Sequence, residues 1–134
     1  MTDANSRSAS EARSAETATP AEAGSVHVIA APSRTRVVLS GEIDATIGQE
    51  LREAAADAEA AGRPVEVDAR HVRFMDSSGV TLLARLATRN PGRLRLIQPP
   101  DVVRFLLDVT RIKDLIDVVD DAPDPDDKAP DATA

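Results

Sequence analysis

The chain has 134 residues, a formal net charge of −7, no cysteine and an aromatic content of only 1%. With Phe74 and Phe105 as its only aromatic side chains it has no stacking platform for single-stranded nucleic acid, and its acidic balance argues against a phosphate-backbone partner. The absence of thiols excludes disulfides, thiolate catalysis and cysteine–zinc sites.

Residues 1–24 are mostly Ala, Ser, Thr and Glu and hold no apolar run that could be a leader. Ordering a residue costs about 1–2 kcal/mol, which such side chains cannot offset, so disorder is expected there. Residues 121–134 combine Pro with acids and predict a second disordered, acidic tail. Between the tails lies one compact domain, residues 25–120, of about a hundred residues. No stretch approaches the ~18 apolar residues of a membrane span. The expected setting is the cytoplasm, with neither nucleic acid nor membrane as a partner.

Within the domain, residues 26–30 and 36–40 are apolar runs separated by turn residues and predict a hairpin. Gly41-Glu42-Ile43-Asp44 ends the second strand, and Asp44 is placed to cap the helix that follows. Ile47, Leu51, Ala54, Ala55 and Ala58 recur at helical spacing. Gly62 closes that helix and Pro64 prevents its continuation. Val65 and Val67 alternate with Glu66 and Asp68, a strand expected to stop before Arg70-His71, with residues 72–75 resuming after a step. Val80, Leu83, Ala84 and Ala87 form a second helix, broken at Asn90-Pro91-Gly92. Leu94–Ile97 is a strand, Pro99-Pro100-Asp101 opens a third helix, and Ile116–Val119 is a last short strand. The alternation predicts an α/β fold: one mixed, mostly parallel sheet of about four to five strands with about three helices.

The chemistry concentrates at Asp76-Ser77-Ser78-Gly79, where a buried strand gives way to a helix at the carboxyl edge of the sheet, the edge where binding sites collect in such folds. Asp76 or Ser77 can cap the helix, and Gly79 permits close backbone approach. Taken alone, the string is what a strand-to-helix turn prefers for local reasons. A serine nucleophile needs an oriented base; the histidines are His27, in an early strand, and His71, read as a loop or strand-end residue. Ser77 is not in a G-x-S-x-G elbow. An aspartic-protease loop would have a partner loop and no second serine, and ligand spacing for a metal is missing. No phosphate-cradling glycine loop is present. What remains is a hydroxyl at a helix start, where an added phosphate would bring about −1.5 to −2 charges without unravelling the helix.

Gly41-Glu42-Ile43-Asp44, Gly62-Arg63-Pro64-Val65-Glu66-Val67-Asp68, residues 72–79 (VRFMDSSG) and Pro100-Asp101-Val102-Val103-Arg104-Phe105-Leu106 follow one another with spacing that resembles the STAS domain family, and within it the free-standing anti-sigma factor antagonists of bacteria. The resemblance spans roughly residues 25–120. It implies a single STAS-like domain and a non-enzymatic binding protein for transcription regulation by partner switching. Unphosphorylated, such a protein binds an anti-sigma factor that is also a serine kinase, and so frees a sigma factor. The kinase phosphorylates it on the first serine after the aspartate, here Ser77, which releases it, and a serine phosphatase restores it. The resemblance also implies a partner-binding surface of Glu42, Asp44, Asp76, Ser77, Ser78 and Gly79. It implies no cofactor, no metal and no catalytic residue. A STAS scaffold, or an accessory subunit of a stress-signalling or transporter complex, is the alternative. Arg111 stands where relatives carry a glycine after the third helix, so a differently made turn is expected. Asp120-Asp121-Ala122-Pro123-Asp124-Pro125 stands where many relatives enter a final helix, which is not expected here.

Overall fold

The computed structural model describes residues 23–120, so the expected tails, apart from Ala23 and Gly24, and the question of a final helix lie outside the described residues. β1 (Ser25–Ala30) and β2 (Thr35–Ile43) form the expected antiparallel hairpin, with Val28 opposite Val37. A 3-10 turn, Ala45–Ile47, leads into α1 (Gly48–Ala61). β3 (Val65–Met75), α2 (Ser77–Arg89), β4 (Leu94–Ile97) and α3 (Asp101–Thr110) follow, and a 3-10 turn, Ile112–Leu115, precedes β5 (Ile116–Val119). The sheet order is β1-β2-β3-β4-β5, antiparallel at its first pair and parallel at the rest. The α/β class expected from the sequence is the one observed.

Each parallel pair is joined by one helix, and successive right-handed crossovers in one direction bring the helices to the same face of the sheet. That face supplies Val37, Leu39, Val65, Val67, Leu94 and Leu96 to a core shared with Leu51, Leu83, Leu86, Val103 and Leu107. Burying each of these aliphatic side chains contributes roughly 1.5–3 kcal/mol, and with no large aromatic at its centre the core depends on their close packing. The opposite face carries Arg36, Glu66, Arg95 and Asp117 in one row across β2 to β5, with alternating charge. Glu66 is only 1% exposed and accepts from Arg34 Nε at 3.0 Å and Arg36 Nη2 at 3.2 Å.

Two strands differ from expectation, for one reason. β3 does not stop before Arg70-His71 but runs unbroken for 11 residues. Its pairing with β2 shifts register twice, between Val38 and Ser40 and between Gly41 and Glu42, and β3 supplies the extra residue each time. Each bulge displaces the two-residue alternation, so beyond Ala69 the buried positions fall at Val72 and Met75, three apart. An alternation-based reading therefore breaks the strand in two. β2 likewise continues through Gly41 to Ile43, with Gly41 at φ 75° where the ladder bends.

The helix ends follow their caps. Gly62 at φ 66° closes α1 and donates to Ala58 O and Glu59 O. At the end of α3 Arg111 does not make a different turn: it adopts the left-handed conformation itself, φ 67°, with its N–H on Asp108 O.

Candidate functional site

The carboxyl ends of β2 and β3 are adjacent, because Glu42 pairs with Phe74 and Ile43 with Met75. Asp76 N–H then donates to Ile43 O at 3.1 Å, which joins the Glu42–Asp44 corner to the start of α2. Two of the expected site segments, distant in sequence, thus share one edge of the sheet. Asp44 turns its carboxylate inward on its own corner, accepting from Thr46 N at 3.0 Å and Thr46 Oγ1 at 2.5 Å. It caps the 3-10 turn that precedes α1, while Glu42 is exposed.

Asp76, not Ser77, caps α2: its Oδ1 accepts from Ser78 N at 2.7 Å, and its backbone oxygen accepts from Gly79 and Val80. The Ser77 side chain is released from that duty. Ser77 is exposed, and its hydroxyl makes no hydrogen bond among the described residues, whereas Ser78 is half-buried. Gly79 is buried against the end of β3, where an added Cβ would lie 2.4 Å from Met75 Cγ and 2.8 Å from its sulfur. The requirement for Gly79 is steric, since no φ outside the ordinary helical range is involved. His27 lies in β1, the early strand expected for it, whereas His71 lies inside β3 opposite Ser40 and not in a loop or at a strand end.

Sequence reasoning missed a second part of this edge. Between α1 and α2 runs a cleft of about 240 Å³ that Ser77, Ser78 and Thr81 line from one side and Gly48 and Arg52 from the other. Its floor is apolar, made by Leu51, Ala55 and Leu82, and Arg85 stands at its far end. Arg85 is already paired with Glu59, with Nη2 3.0 Å from Oε1 and a second, shorter contact from Nε to Oε2. The Arg85 guanidinium holds the Glu59 carboxyl below the usual carboxylate range, and its own pKa rises in return. Arg52 has no such partner among the described residues. The available signal was helical spacing: the positions three and four residues from Arg52 are Gly48, Gln49, Ala55 and Ala56, so no acid lies within one turn of it on its own helix face. Gly24, one residue before the expected domain start, also belongs to the edge, since a Cβ on it would meet Glu42 O at 2.0 Å.

Among the described residues no group of three His, Cys, Asp or Glu side chains could hold a metal ion, and no helix is long and apolar enough to cross a membrane. A family profile described as "Mlab, STAS domain" matches residues 26–118, from the first strand to the last. The chain belongs to the STAS domain family. Two solved structures share the fold of this STAS domain. An anti-sigma factor antagonist from Mycobacterium paratuberculosis superposes with a TM-score of 0.65 at 21% identity, covering 87% of this chain and 98% of that one. The anti-sigma factor antagonist SpoIIAA in its unphosphorylated form gives 0.58 at 21% identity, covering 83% and 96%. No curated protein matches the sequence. The STAS fold accounts for the placement of the site: parallel strands ending side by side bring Glu42, Asp44 and the Asp76–Gly79 turn to one rim.

Proposed function

We propose that this STAS protein is an anti-sigma factor antagonist switched by phosphorylation of Ser77, a binding protein rather than an enzyme. The observation that carries the reading is the Ser77 hydroxyl, exposed and uncommitted, beside a helix start that Asp76 already caps. In the proposed step Ser77 Oγ attacks the γ-phosphorus of ATP held by an anti-sigma factor with serine-kinase activity. The Oγ–P bond forms as the bond to the β–γ bridging oxygen breaks. ADP leaves, and the hydroxyl proton passes to a base of the kinase. A phosphatase returns serine and inorganic phosphate by hydrolysis. The partner surface comprises Glu42, Asp44, Asp76, Ser77, Ser78 and Gly79, and the protein works in the bacterial cytoplasm.

Charge alone makes release reasonable. A phosphate of charge about −2, roughly 7 Å from one partner carboxylate at an effective dielectric of ~20, costs on the order of 5 kcal/mol before screening. A remainder of about 3 kcal/mol weakens binding about a hundredfold. Two variants and one modification test this. Incubating the chain with the cognate kinase and ATP should add one phosphate, located on Ser77 by mass spectrometry and absent from Ser77→Ala. Ser77→Asp should fold normally and bind the kinase about tenfold or more weakly than Ser77→Ala. Equal binding by the two variants, or a phosphate elsewhere, removes the switch.

A second reading, a constitutive STAS subunit of a larger assembly, is favoured by the outer surface of α3. Phe105 and Val109, one helical turn apart, are 64% and 58% exposed there. An apolar pair of that kind suits a surface covered by a permanent partner. Failure of every cognate kinase to modify Ser77 would favour this second reading.

A further inference from the structure

We propose that Arg52 holds the phosphoryl group of modified Ser77 within the same chain, so that modification withdraws a cation from the partner-facing rim as it adds an anion. The inference rests on the phosphorylation of Ser77 proposed above and assigns it a regulating residue. Arg52 and Ser77 line opposite walls of the one cleft between α1 and α2. Ser77 carries the hydroxyl that would bear the ester. Arg52 carries a guanidinium with no hydrogen bond or ion pair among the described residues, whereas Arg85, the cleft's other cation, is held by both oxygens of Glu59.

The guanidinium lies along the wall opposite Ser77. Arg52 folds back over the start of α1, where its Nη1 lies only 3.3 Å from the position a Cβ on Gly48 would occupy. Gly48 leaves open the space beside which the guanidinium lies, and a Cβ there would require it to move by a few tenths of an ångström. A guanidinium offers paired N–H donors that match two phosphate oxygens at once, and such charge-assisted pairs are about twice as strong as neutral ones. The cleft is apolar below and open above, so the pair would be partly screened and still shielded from one side. Before modification the same guanidinium is available to a partner; afterwards it is spent on the phosphate.

The charged neighbours set the sign of the test. The ends of β2 and β3 contribute the carboxylates of Glu42, Asp44 and Asp76 and the cation of Arg73; α1 contributes Arg52 and the Glu59 that holds Arg85 of α2. The carboxylates raise the second pKa of a phosphoserine at position 77, and Arg52 lowers it. The full chain is made with phosphoserine installed at position 77 during synthesis, and the phosphorus resonance is titrated against pH by NMR. Because an opposite charge within ~4–6 Å lowers an acid's pKa by about 1–3 units, Arg52→Gln should raise the midpoint by about one unit. Arg52→Lys should recover part of the shift, since it keeps charge and loses the fork. Arg95→Gln, on the opposite face of the sheet, controls for net charge and should leave the midpoint unchanged. An unmoved midpoint in Arg52→Gln, or an equal shift in Arg95→Gln, overturns the proposal. No kinase enters this experiment, so its failure is separate from failure of the kinase assay on Ser77.

Discussion

At the scale of single residues, the Asp76–Gly79 turn divides its work so that each side chain has one task. Asp76 accepts the Ser78 N–H, which leaves Ser77 free, and Gly79 admits Met75. Removing a helix cap costs about 1 kcal/mol, so Asp76→Ala should lower the free energy of urea unfolding by that amount. Asp76→Asn should retain most of it. Ser77→Ala, with no hydrogen bond to lose, should stay within about 0.5 kcal/mol of the parent. Gly79→Ala forces a methyl onto Met75 Cγ, a near-backbone atom of a packed side chain, and should cost about 1–3 kcal/mol in the same titration. If Ser77→Ala proves the most destabilising of these, Ser77 is a structural residue and its availability for modification is lost. The sequence left open whether Asp76 or Ser77 capped the helix, because both are good caps and only the course of the chain out of β3 decides between them.

At the scale of elements, left-handed turns end two of the helices with different residues. Gly62 closes α1 without steric cost, whereas Arg111 closes α3 in nearly the same conformation, φ 67° against 66°. A side chain in that region is strained by roughly 1 kcal/mol relative to glycine. Gly62→Ala should therefore destabilise by about 1 kcal/mol, and Arg111→Gly should raise the urea midpoint or leave it unchanged, the gain being partly offset by greater freedom in the unfolded chain. Destabilisation by Arg111→Gly would mean that the arginine side chain holds the turn. The glycine end was legible locally. The arginine end was not, because nothing in its own residue type announces a positive φ. The same holds for β3: Arg70, His71 and Arg73 look like a break, and only pairing with β2 turns them into bulges on a continuous strand.

At the scale of the whole molecule, the sheet has an aliphatic face under the helices and a charged face opposite, and two acids of the second face, Glu66 and Asp68, are buried. Burial pushes the Asp68 carboxyl up, but bonds from Arg70 Nε at 3.0 Å, Nη2 at 2.8 Å and backbone N at 3.1 Å outweigh it, so its pKa lies below the ordinary range. A carboxylate whose pKa is depressed by folding contributes stability above its unfolded pKa and loses it as pH falls through the folded value. Asp68→Asn should thus be less stable than the parent at pH 7, and its stability should decline less steeply below about pH 4. Parallel acid-unfolding curves for the two chains would show that the Asp68–Arg70 pair does not link folding to protons.

The sequence by itself determined the order of strands and helices, the α/β class, the capped turn at Asp76–Gly79 and the corner at Glu42–Asp44. All of these follow from apolar period and from the local preferences of Asp, Ser, Gly and Pro, which act over a few residues. Tertiary structure alone decided the two bulges, the burial of Glu66 beneath Arg34 and Arg36, and the placing of Arg52 and Ser77 along one cleft. Those features join residues two dozen or more positions apart, or depend on register between strands. Side-chain period carries no information about which distant residue will stand opposite, because that is settled only when the helices close on the sheet.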